Sequence, residues 1–120
     1  MDYPTLKIIH LTGLALTFMG LAGVLASRAA TDAVFKKRWI FHASHGLGLL
    51  ILLVTGFALA GQLHLMHPVP GWLQGKMFIW LLAGVAMTLA TRFSRFAGPI
   101  LAGYALLVAV AAWLAINKPF

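Results

Sequence analysis

The sequence has no cysteine, and its only acidic residues are Asp2 and Asp32. Without thiols there are no disulfides, no thiolate-held iron–sulfur clusters and no thiol catalysis. With so few carboxylates there is no carboxylate-rich metal site and no carboxylate pair for acid–base work. Charge of either sign is scarce, at 9% of 120 residues, where a soluble domain carries about a quarter. No phosphate-cradling glycine motif is present. What fills the chain instead is apolar: 62% of residues are hydrophobic and the mean hydropathy is +0.94. A chain this small cannot hide that much apolar surface within itself, so lipid has to be the solvent for the rest. The net charge of +7 does not point to nucleic acid. The basic residues stand at the ends of apolar runs, as membrane anchors do, and form no patch interleaved with aromatics.

Four apolar runs predict an all-α, four-helix transmembrane bundle, antiparallel and up-down-up-down. It forms a single domain, with helices at about residues 3–26, 38–67, 71–91 and 99–116. Pro4 suits a first helical turn, and Pro68 and Pro70 stop the second helix near His67. Tyr3, Lys7, His10, Gly13 or Leu14, Thr17, Gly20 and Val24 share one face of the first helix. That face should turn inward, because lipid is a poor solvent for Lys and His. Gly13, Gly20, Gly46, Gly48, Gly56 and Gly61, with the Ala22/Ala26 and Gly23/Ser27 pairs, are expected to be helix-packing positions. Met19 and Met87 are expected to fill gaps between helices. Trp39, Trp72, Lys76 and Trp113 are expected near the interfaces.

Lys7, Lys76 and Lys118 fall on the side that holds both termini. Arg28, Lys36, Lys37, Arg38, Arg92 and Arg95 fall on the other. The positive-inside rule then predicts both termini outside, in the periplasm of a bacterial inner membrane.

Y-x-x-L-K-x-x-H at Tyr3 to His10, Ser27-Arg28, His42, Trp72-Leu73 with Lys76, Gly84 and Arg92 occur in this order. In that order the chain resembles the small SirB-like bacterial four-span inner-membrane proteins. The resemblance covers most of the chain and implies a small inner-membrane protein. The sequence departs from it at His45, where the pattern leads one to expect an acidic residue three positions after the second-helix histidine. More loosely, the chain is similar to CopD-like and small cytochrome b-like membrane proteins, which place histidines near helix ends.

Four of the five histidines belong to the second apolar stretch, as the pairs His42/His45 and His64/His67. Histidine within a membrane is rare enough to suggest function. The first reading is a b-type haem, with His10 opposing His64 or His67 and Lys7 or Lys76 meeting a propionate. His42 and His45 project from one side of one helix, so they cannot sandwich a haem without a ligand from a second protomer or another subunit. A second reading is copper held by His10, His64, Met66 and His67, whose imidazole and thioether groups suit that metal. A third is a quinone or proton-handling site at His42 and His45, beside Arg38 and Trp39. Beside all three stands the simpler reading, in which the histidines only hydrogen-bond carbonyls or headgroups. The sequence therefore predicts a haem-binding or redox-associated accessory subunit. The alternatives are a non-catalytic structural or assembly subunit and a copper-handling protein. Expected partners are the lipid bilayer, further copies of the chain or a larger membrane complex, and no nucleic acid.

Overall fold

The computed structural model describes residues 2–29, 39–63 and 69–117. They form four long helices, α1 (Tyr3–Ala29), α2 (Trp39–Gln62), α3 (Gly71–Arg92) and α4 (Ala97–Asn117), with a 3₁₀ turn at Ser94–Phe96. All four are long and apolar enough to cross a membrane. The all-α four-span architecture is as the sequence predicts.

Local chemistry sets the helix ends. Asp2 caps α1: its Oδ1 accepts the Thr5 amide at 3.1 Å and its carbonyl accepts the Leu6 amide at 3.0 Å. Pro4 sits in the first turn, where a missing N–H costs nothing. α1 runs past the expected Ala26 because Ser27, Arg28 and Ala29 contain no helix breaker, and Arg28 suits the negative end of the helix dipole. Pro70, extended at φ −70° and ψ 155°, starts α3 and accepts the Leu73 and Gln74 amides. Phe93 closes α3 by donating its amide to the Leu89 carbonyl at 2.8 Å. α4 begins at Ala97, two residues before the expected Pro99, which falls in the first turn and is tolerated there. The expected end of α2 near His67 lies outside the described residues.

Glycine makes α1 and α2 the closest pair. A Cβ on Gly20 would stand 2.5 Å from the Phe41 carbonyl oxygen and 2.8 Å from the His45 Cα. One on Gly13 would stand 2.6 Å from Ile51 Cγ2, and one on Gly48 would overlap Thr17. These contacts fix an antiparallel register in which Gly13 faces Gly48 and Ile51, Gly20 faces Phe41 and His45, and Gly23 faces Phe41. The inward face of α1 is confirmed at Thr17 (1% exposed), Gly20 and Val24, whereas Tyr3 and Lys7 at its outer end are exposed. Gly46 and Gly61 meet nothing within 4 Å, so the expectation that they pack against helices is corrected. They lie on the outward side of α2, where glycine serves no close approach.

α1 is central, meeting α2, α3 and α4, while α3 packs along α4. The backbones of α2 and α3 meet only sparsely, and those of α2 and α4 do not meet. The core joins Leu21, Val24 and Leu25 to Ala83, Ala86, Ala90 and Tyr104. Met87 packs against it as expected, but Met19 is 61% exposed and faces outward. Trp72 is 8% exposed, so it belongs to the bundle more than to an interface. Trp39 and Trp113 are exposed near helix ends, as interfacial anchors should be.

Candidate functional site

Two histidines enter the bundle, at different depths. His10 leaves α1 at the level of Thr55 on α2, and its Nδ1 lies 2.7 Å from the Thr55 Oγ1. The Thr55 hydroxyl donates its single hydrogen to the Ile51 carbonyl at 2.5 Å. It therefore has only lone pairs to offer His10, so the imidazole Nδ1–H is the donor. In the neutral ring this leaves Nε2 as a bare lone pair. Nε2 makes no hydrogen bond to the described residues, and it is not among their sealed polar atoms. Gly56 sits beside the ring, with room for a Cβ 3.7 Å from His10 Cε1.

Positive charge collects around this imidazole. Lys76 of α3 is within electrostatic reach of His10, and Lys7 of α1 is within reach of Lys76. The Lys7 ammonium stands over the Tyr3 ring at 5.7 Å. Among the described residues the only carboxylate is Asp2, exposed at the start of α1. An accessible lone pair with the Lys76 ammonium in reach suits an electron-pair acceptor that carries an anionic substituent.

His45 is placed differently. Gly20 lies opposite it, ten residues beyond His10 on α1, about 15 Å along the helix axis. His10 and His45 of one protomer therefore cannot reach the same metal ion. His45 is 3% exposed, and its Nε2 is the one buried side-chain nitrogen or oxygen without a partner among the described residues. Its ring lies 6.2 Å from the Tyr104 ring across the gap between α2 and α4. His42, half-buried one turn away, interacts with it electrostatically.

The predicted site residues thus separate. His10 and His45 enter the bundle, and the structure brings the half-buried His42 beside His45 but keeps both away from His10. His64, Met66 and His67 lie outside the described residues. Among the described residues no group of three or more His, Cys, Asp or Glu is arranged to hold a metal ion. Thr55, Tyr104 and Trp80 carry no motif in the sequence, yet they meet these histidines or bridge the helices, and Trp80 Nε1 donates to the Leu49 carbonyl at 2.9 Å. A polar residue inside an apolar run was the available signal for Thr55. Its partner, 45 positions away, becomes evident only with the α1–α2 register.

A family model described as "SirB: Invasion gene expression up-regulator, SirB" matches residues 3–119. No curated protein and no solved structure matches the chain.

Proposed function

The chain belongs to the SirB family, and from that premise we propose that it is a small redox-associated membrane subunit carrying a b-type haem on His10. The family description names an effect on gene expression, and the chemistry proposed here comes from this chain's own residues. The observation that carries the proposal is the double commitment at His10 and Thr55. With the imidazole Nδ1–H given to Thr55 and the Thr55 hydrogen given to Ile51, Nε2 is left as a ligand of fixed orientation. Lys76, within electrostatic reach of His10, supplies positive charge that a haem propionate calls for. A bound haem would supply one-electron chemistry. The protein's part is to orient His10, neutralise a propionate and surround the ring with apolar helix faces.

α2 ends at Gln62, seven positions past the level of His10. His64 and His67 lie beyond that end, outside the described residues, so among the described residues His10 alone would hold the haem. Copper on His10 with His64, Met66 and His67 draws on the same undescribed residues and leaves Lys76 without a role.

We also propose that both termini are periplasmic and that the membrane is the bacterial inner membrane. The excess of Arg and Lys at the opposite end supports this. The test of function is the absorption spectrum of gently solubilised protein made with ample haem. A Soret band lost in His10→Ala is expected. If the wild-type protein has no Soret band, the His10–Thr55 bond is a clamp between helices and the chain is a structural subunit.

A further inference from the structure

We propose that the seam between α2 and the α3–α4 pair is a second binding site, independent of His10, for the head group of a lipid-soluble quinone. The seam is the loosest part of the bundle. α1 and α2 are locked by glycine, but α2 touches α3 only sparsely and α4 not at all through the backbone. Side chains bridge the gap: Trp80 donates to the Leu49 carbonyl at 2.9 Å, and His45 stands beside Tyr104. Ala83 and Gly84 present little bulk on the α3 side, and a Cβ on Gly84 would still be 3.9 Å from Leu49.

Into this seam the chain places a costly group. His45 is 97% buried by its 3% exposure, and its Nε2 has no hydrogen-bond partner. Buried polar atoms are almost always satisfied, and each exception calls for an explanation. Lipid cannot satisfy it, and although the Ala83 backbone of α3 reaches the His45 ring across the seam, Nε2 itself is left without a partner. A ligand that arrives through lipid must be apolar overall and must carry a hydrogen-bonding group at its head. Histidine narrows the class further, because imidazole can donate to a carbonyl or accept from a hydroxyl. It can therefore hold both the oxidised carbonyl and the reduced hydroxyl form of one molecule, which fits a quinone.

The test uses the full-length protein, without haem, in nanodiscs, with ring-¹⁵N-labelled histidine and decylubiquinone as the probe. The His45 Nε2 resonance should move saturably, while the His10 resonances stay in place. His45→Phe should weaken binding about tenfold, as expected for one lost hydrogen bond. His45→Gln, which keeps an amide donor and acceptor, should retain most of it and guards against a mere folding defect. A His45 resonance that ignores excess decylubiquinone overturns the proposal, as does a shift shared by all five histidines, which marks unspecific partition into lipid. Neither result bears on haem at His10, which is read separately by its Soret band.

Discussion

The His10 Nδ1 and the Thr55 Oγ1 lie 2.7 Å apart across the closest helix pair in the bundle. The bond does two things at once. It ties α1 to α2 near one membrane surface, and it selects the tautomer that leaves His10 Nε2 bare. Thr55→Val keeps the shape of the side chain and removes the acceptor. It should cost about 1–3 kcal/mol by leaving the buried N–H unpaired, and haem affinity should fall roughly 10–100-fold. Thr55→Ser should restore both. Thermal unfolding and haem titration of the two variants check this, and equal behaviour of Val and Ser at position 55 would contradict it.

Close approach at Gly20 predicts a sharp contrast among the glycines. Even one methyl group at Gly20 meets the backbone of Phe41 and His45, and backbone cannot swing aside as a side chain can. Gly20→Ala should destabilise by about 1–3 kcal/mol. Gly46→Ala, in open space, should leave the melting temperature in detergent unchanged or slightly raised.

These two residues also mark what the sequence could disclose. Run length and composition located all four spans, because lipid imposes a length on any crossing helix. Helical spacing from Thr17 through Gly20 to Val24 disclosed the inward face of α1. Spacing could not say that Gly48 packs while Gly46 does not, since both lie in one apolar helix and only the partner's position separates them. Nor could it distinguish His42 from His45. At i and i+3 they share a side of α2, and the depth of burial depends on Gly20 and Tyr104, which come from other helices. Trp72 and Met19 were misplaced for a related reason. Residue type gives a preference for interface or interior, and the rotation of the helix decides.

Topology can be tested with single cysteines, since the chain has none of its own. With both termini periplasmic, Asp2→Cys should react with a membrane-impermeant thiol reagent in intact cells. Arg95→Cys, at the opposite end, should react only after the inner membrane is permeabilised. The reverse pattern would invert the assignment.

The start of α1 should respond to acid. Thr5, through its side chain first and its amide second, holds the Asp2 carboxyl below its ordinary value of 3.8. A carboxyl depressed in the folded state supports the helix above that value and loses its effect as pH falls through the lower folded one. Amide exchange at Thr5 and Leu6 should therefore quicken below pH 3.8. Asp2→Asn should flatten that dependence.

The most direct measurement is the absorption spectrum of protein expressed with ample haem, compared among wild type, His10→Ala and His45→Ala. Haem on the bare Nε2 of His10 predicts a Soret band in the wild type, lost in His10→Ala. It also predicts that His45→Ala keeps the band unshifted, because His45 lies about 15 Å deeper in the bundle. A Soret band that survives His10→Ala and vanishes in His45→Ala, or no band in the wild type, would contradict the account.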